Sequence, residues 1–314
     1  MKTSEPSSLS FSYFVLRPKY WLPLIGFALT WLIAQLPFRL KNQLARVIAS
    51  FMLRFGKRRR NIAQINLKLC FPEKSEEARE KLLKENFYLT ALGMLETATC
   101  WFTSLQQYQQ HYTISGQQYL DDAIAEQRGI ILLSFHLTSL EIGGSLLAKH
   151  YPICAMYKPN KSPLTEKLMC RGRLKHVRQL LKQSDIRATV KALKNNKIVW
   201  YATDQNYGSK KSSVFVPFFG TAASTITATT KFAKLSGAMV IPMTQKRSQD
   251  GHNISIEIHP PLENFPGENE IEDATRINQY LENYLRENPE DYMWLHQRFR
   301  TRPQGEARIY PHKK

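Results

Sequence analysis

Apolar and polar positions follow two rhythms along this chain, and the switches between them mark its elements. Short runs rich in β-branched and aromatic residues, at 112–115, 130–133, 153–157, 198–202, 239–244 and 254–258, read as strands. Between them apolar residues recur at helical spacing, over 120–127, from Leu140 through Leu147, and over 164–182, 189–195 and 272–287. Two further helices, 61–70 and 76–101, precede the first strand and are separated by the Phe71-Pro72 turn. Residues 214–220 form an apolar loop or edge strand, and the small, polar run 221–230 leads into a helix ending at Leu235. The alternation of strand and helix implies an α/β fold with a mostly parallel sheet flanked by helices.

The N-terminal pattern differs. Residues 1–12 are polar and expected to be mobile, and 20–36 is the most apolar stretch, without charge but interrupted by Pro23 and Gln35. It is short for a spanning helix. No A-x-A-like site follows it, so a cleaved signal is not indicated. We expect a membrane anchor that either spans or lies in the interface, with Trp21 and Trp31 at interfacial positions. A buried core helix is the alternative. Residues 40–55 set Arg46 and Arg54 among Leu44, Val47, Ile48, Phe51 and Leu53, the pattern of a basic amphipathic helix. Lys57-Arg58-Arg59-Arg60 follows. Residues 1–60 thus form the anchor and basic segment, and 61–314 the catalytic domain. If the anchor spans, the excess of basic residues after it places the main body in the cytoplasm.

Composition sharpens the choice of partner. Lys and Arg number 44 against 26 Asp and Glu among 314 residues, a formal net charge of +18. Such a balance suits an acidic carrier protein, an anionic membrane surface or nucleic acid. No aromatic platform interleaves with the basic cluster and no DNA- or RNA-binding signature occurs, so the membrane reading is preferred and no nucleic acid is expected. Cys70, Cys100, Cys154 and Cys170 form no C-x-x-C pair, which argues against a zinc site or a disulfide framework and for a reducing compartment. There is no phosphate-binding glycine fingerprint and no G-x-S-x-G elbow.

The chemistry concentrates between Gly129 and Gly144. Ile130 to Leu133 is a buried strand, and Thr138 or Ser139 caps the helix that follows, so His136 stands where a strand ends and a helix begins. His136 and Glu141 would face apart on one continuous helix, at about 140° of separation. They can meet only with His136 outside the helix and Glu141 in its first turns, where a carboxylate would orient the ring as a general base for a substrate hydroxyl. The plainer alternative is that Thr138-Ser-Leu-Glu141 is a capping box and Glu141 ties down a helix end.

Several separated segments together resemble one family, the lipid A late acyltransferases of the lauroyl/myristoyl group. They are His136-x4-Glu141, Tyr157-Lys158-Pro159, Arg171-Gly172-Arg173, Thr203-Asp204-Gln205-Asn206, Phe215-Val216-Pro217-Phe218-Phe219-Gly220 and Tyr292-Met293-Trp294-Leu295-His296-Gln297-Arg298-Phe299, in the family's order. The resemblance implies a glycerol-phosphate-acyltransferase-like α/β domain behind an N-terminal membrane-anchor helix, at the cytoplasmic face of an inner membrane. It implies an acyl carrier protein thioester as donor and a hydroxyl on an acyl chain of a Kdo-bearing lipid A precursor as acceptor, with no cofactor or metal. His136 would be the base and Glu141 its orienting carboxylate. Arg171 and Arg173 would bind a phosphate or a carbonyl, Arg171 being the more readily explained as a solvated position. Asp204 would pair with an arginine or serve as a turn residue, and Gln205 would belong to the same substrate-binding motif. Trp294, His296 and Arg298 would be structural or substrate-positioning. The apolar residues of 215–219 would line an acyl groove or simply pack, and backbone N–H groups near His136 would stabilise the oxyanion. Rival readings are an acyltransferase of the same fold acting on another glycolipid or glycerol phosphate, and a non-catalytic scaffold that binds anionic lipid.

Overall fold

Strands apolar on both faces need a helical layer on each side, and that is how these assemble. The structure is a computed structural model and describes residues 9–209, 212–248 and 250–311. In chain order its elements are α1 (Phe11–Val15), α2 (Trp21–Ala34), α3 (Phe38–Phe55), α4 (Lys57–Cys70), α5 (Glu76–Phe102), β1 (Tyr112–Ser115), α6 (Gln117–Ala125), β2 (Ile130–Ser134), α7 (Leu140–Leu147), β3 (Ile153–Tyr157), α8 (Pro163–Arg173), β4 (Gln179–Lys182), α9 (Ile186–Lys194), β5 (Ile198–Ala202), β6 (Ser213–Phe218), β7 (Thr221–Ile226), α10 (Ala228–Ser236), β8 (Met239–Arg247), β9 (Ile254–Ile258) and α11 (Glu270–Glu287).

The main sheet has seven strands in the order β1-β9-β8-β2-β5-β3-β4. Every neighbouring pair is parallel except β8 with β9. β2 lies at the centre and all its residues are buried. Its register pairs Ser134 with Ala202 of β5, so the chain leaves both strands at the same level. β6 and β7 form a separate antiparallel hairpin.

Two expectations about elements fail here. The basic stretch 164–182 is not one helix: α8 stops at Arg173 and β4 follows. The Arg178 N–H donates to the Ile153 carbonyl at 2.7 Å and starts the pairing with β3. Leu180 and Leu181 then enter cores on the two faces of the sheet, a demand of packing that overrides local spacing. Likewise 221–226 is not a helical lead-in but the second strand of the hairpin, ahead of α10.

At the N-terminus, the expectation for residues 1–12 falls mostly outside the described residues, although Ser10 caps α1 through its side chain. α2 has 14 residues and is about 21 Å long, against about 30 Å of hydrocarbon in a bilayer. No helix of the described residues is long and apolar enough to cross a membrane, so the expected spanning anchor is not found. Nor is α2 a core helix, since Ala34 is its one buried residue and Leu22, Ile25, Leu29 and Leu32 are exposed. α3 does pack inward: Ala45 and Ala49 enter the main core, and Lys41 is fully buried with Nζ 2.8 Å from Thr99 Oγ1 of α5. All four cysteines are buried and unpaired.

Candidate active site

The common level of β2 and β5 decides which carboxylate meets the histidine. Two residues past Ser134 is His136, and two past Ala202 is Asp204. Asp204 Oδ1 accepts the His136 backbone N–H at 3.0 Å and lies 2.8 Å from ring Nδ1. Burial by itself would push the Asp204 carboxyl up, but the His136 charge and both hydrogen bonds outweigh it and hold it below the usual carboxylate range. In the neutral ring, an ionised Asp204 requires the proton on Nδ1, and Nε2 is then a bare acceptor. Nε2 has no hydrogen-bond partner among the described residues, and His136 lines a pocket of about 290 Å³.

Glu141, which the sequence suggested as the partner of the ring, makes no hydrogen bond to it among the described residues, although it lines the same pocket. Its carboxylate is held by Arg173 in a two-pronged pair, Nε to Oε1 at 2.8 Å and Nη2 to Oε2 at 2.6 Å, and accepts Trp101 Nε1–H at 2.9 Å. Burial favours the neutral acid, but Arg173 and then Trp101 outweigh it and keep Glu141 ionised. The capping box is absent too: Thr138 Oγ1 accepts Arg247 Nη1–H at 2.8 Å, and Ser139, at the N-cap of α7, makes no side-chain cap and donates to the Gln245 carbonyl at 3.2 Å. The glycine between the two arginines explains the approach. A Cβ at Gly172 would lie 2.6 Å from Trp101 Cα, so only glycine lets α8 sit on α5 and bring Arg173 to Glu141. Arg171 points away and is exposed, whereas Arg173 and Gln205 line the pocket.

Other expected roles move. Asp204 pairs with the histidine rather than with an arginine. Its Oδ2 is buried with no hydrogen-bond partner among the described residues, and buried Arg298 acts on it only through space. Arg298 instead ties the hairpin, donating to the Ser224 carbonyl and Thr225 Oγ1, each at 2.7 Å. Trp294 is fully buried, and none of Trp294, His296 and Arg298 lines the pocket. Phe218 packs on Tyr292, Phe219 and Phe299, Phe215 is exposed, and none of 215–219 lines the pocket. The backbone N–H groups of His136, Leu137 and Thr138 are all engaged, by Asp204, the Phe135 carbonyl at 2.7 Å and the Asp291 carbonyl at 2.6 Å. Arg173, Gln205 and Lys158 line this pocket, and Arg173 Nη1, the Gln205 amide and the Lys158 ammonium have no hydrogen-bond partners among the described residues.

Comparison with known proteins identifies the family. The family model for bacterial lipid A biosynthesis acyltransferases matches residues 9–301. The chain belongs to that family. It is 38% identical over 296 residues to the lipid A biosynthesis lauroyltransferase of Escherichia coli (strain K12), covering 94% of this chain and 96% of that protein. It is 36% identical over 301 residues to the lipid A biosynthesis palmitoleoyltransferase of the same organism, covering 96% and 98%. Among solved structures, the 1-acyl-sn-glycerophosphate acyltransferase of Thermotoga maritima aligns over 79% of this chain and 97% of its own at a TM-score of 0.37 and 12% identity.

The chain is thus an acyltransferase of lipid A biosynthesis. Sequence reasoning missed two residues of this acyltransferase's site. Trp101 reaches Glu141 from the end of α5, 40 positions away, and only the tight Gly172 spacing hinted at a close neighbour. Tyr207 lines the pocket just after the Asp204 motif, where it reads as an ordinary loop aromatic.

Proposed function

We propose that this acyltransferase moves a lauroyl or myristoyl chain from an acyl carrier protein thioester to the hydroxyl of an acyl chain on a Kdo-bearing lipid A precursor, with His136 as general base. The observation that carries the reading is the bare Nε2 of His136 opening into the pocket while Nδ1 rests on buried Asp204. Nε2 removes the hydroxyl proton as the oxygen attacks the thioester carbonyl, and Asp204 stabilises the imidazolium that forms. The tetrahedral oxyanion lies against Arg173 Nη1 and the Gln205 amide. Collapse breaks the carbon–sulfur bond, the imidazolium returns its proton to the thiolate, and ester and thiol leave. Glu141 holds Arg173 in place through two hydrogen bonds.

The pocket wall between Ala155, Met156, Met169 and Trp200 is apolar and suits the start of an acyl chain. A net charge of +18 suits both an acidic carrier protein and a phosphorylated acceptor. In this reading residues 1–60 hold the protein on the cytoplasmic face of an inner membrane, with the exposed apolar faces of α2 and α3 lying in the interface and not crossing it. Acyl transfer in detergent, from lauroyl and myristoyl carrier protein to a tetra-acylated Kdo-bearing precursor, tests the proposal by mass spectrometry. A gain of acyl mass with wild type that is absent with His136→Ala supports it. Equal gain with both proteins overturns it.

A further inference from the structure

A second cavity, about 630 Å³ and open to solvent, lies between α3, α4 and α5. Five cations line it, Arg46, Arg54, Lys57, Arg60 and Lys84, against the single carboxylate of Glu85. Among the described residues none of the five forms a salt bridge. Two are held in place by neutral partners: the Arg46 guanidinium stands 4.5 Å from the Tyr88 ring centroid, and Arg60 Nη1 donates to the Leu53 carbonyl at 3.1 Å. The local electrostatics run against stability. Lys57-Arg58-Arg59-Arg60 is the first turn of α4, where the helix dipole disfavours positive charge and no side chain caps the end. Five converging cations against one carboxylate mark a place where an anion lowers the energy.

The cavity is not an extension of the acyl pocket. The two share no lining residue. Along α5, Glu85 in the cavity and Trp101 beside Glu141 are 16 residues apart, about 24 Å. What adjoins the cations is apolar. Arg46, Ser50 and Arg54 face the cavity, while the residue after each, Val47, Phe51 and Phe55, is more than 60% exposed at 66%, 62% and 64%. One turn of α3 thus sets an apolar stripe about 100° from a cationic one. That is the arrangement of a helix whose apolar face sinks to the acyl boundary while its cations stay at headgroup depth.

We propose that this cavity binds the phosphate of an anionic phospholipid headgroup and so docks α3 on the bilayer. The proposal rests on the reading that the protein works at a membrane surface, and adds a defined lipid site to it. The test is vesicle sedimentation of the full chain with phosphatidylcholine vesicles, with and without phosphatidylglycerol. The variants are Arg54→Gln/Lys57→Gln, whose side chains are exposed and make no hydrogen bonds among the described residues, and the charge-matched control Arg187→Gln/Lys194→Gln on the exposed face of α9. Wild type binds phosphatidylglycerol vesicles more tightly than neutral ones. The cavity variant loses about tenfold of that affinity, the α9 control loses less than about twofold, and both keep wild-type acyl transfer in detergent. An equal loss in the two variants assigns binding to overall charge and overturns the site alone, as does wild-type binding by the cavity variant. Failure of wild type to bind any vesicle overturns the membrane reading together with the site.

Discussion

Replacing Asp204 by Asn separates the two carboxylates that compete for the role of orienting His136. The substitution keeps the shape of a buried side chain and removes its charge. In the structure Oδ1 is 2.8 Å from Nδ1, which sets the centres of the imidazolium and carboxylate charges about 4 Å apart. At an effective dielectric constant of about 20 that pair contributes about 4 kcal/mol. It is gained only when the ring becomes charged, so its loss appears in the barrier, as about a thousandfold fall in kcat. An Asn amide that donates to Nδ1 would also move the ring proton to Nε2 and remove the base, which acts in the same direction. Asp204 is buried below the pocket, so KM for donor and acceptor should stay within a few fold. Glu141→Gln should behave differently. It leaves Arg173 without its charged partner, lowers the melting temperature and raises KM, because the guanidinium is no longer fixed. The assay is steady-state acyl transfer at saturating donor, with thermal unfolding of each variant as the folding control. If Asp204→Asn stays within tenfold of wild type while folded Glu141→Gln loses a thousandfold in kcat at unchanged KM, the geometric argument fails and the ring belongs to Glu141.

Arg173→Lys exchanges a planar fork for a point charge and removes Nη1 from the pocket; kcat should fall about a hundredfold, and an unchanged kcat would end its assignment to the oxyanion. Gly172→Ala drives a methyl into Trp101 and should cost about 1–3 kcal/mol in urea unfolding, with acyl transfer reduced through the displaced Arg173; a fully stable, fully active variant would show that α8 can shift freely. His296 is pushed down to about 4, first by burial and then by nearby cations, while its Nε2 accepts the Asn206 N–H at 3.1 Å. The unfolded chain therefore binds the extra proton more readily, and this group's contribution is present above pH 6.5 and lost as pH falls toward 4. Between pH 7 and 4.5 wild type should lose about 2 kcal/mol relative to His296→Gln. The buried Asp291 carboxyl, raised to about 6, acts oppositely but equally in both proteins, so the difference between them isolates the histidine; a difference independent of pH would refute the assignment.

What was legible in the chain was what depended on near neighbours. β1, β3, β5 and β9 fall where alternation and β-branched runs placed them, because β3 and β5 are covered on both faces while β1 and β9 bury one face and expose the other. The break between α8 and β4 was hidden because basic residues continue past Arg173 at helical spacing, while the pairing of β4 is dictated by Ile153, far upstream. The same distinction divides the site. His136 and Glu141 were found because five residues of a strand–turn–helix hold them, and Arg171 was separable from Arg173 because a helix sends i and i+2 to different faces. The partnership of His136 with Asp204 spans 68 positions and follows from one fact of register, Ser134 beside Ala202. Once β2 and β5 are taken as parallel neighbours ending together, the residues two beyond each end must meet, and the histidine has a carboxylate without any help from α7. The capping-box pattern competed for Glu141 on local grounds and lost for a tertiary reason, since Arg173 and Trp101 offer its carboxylate three hydrogen bonds in a buried place. The carboxylate beside His136 is thus Asp204, where Glu141 was expected, and Glu141 holds Arg173. In the proposed mechanism one fixes the cation that receives the oxyanion and the other fixes the base, and substitutions at the two should fail in different kinetic constants.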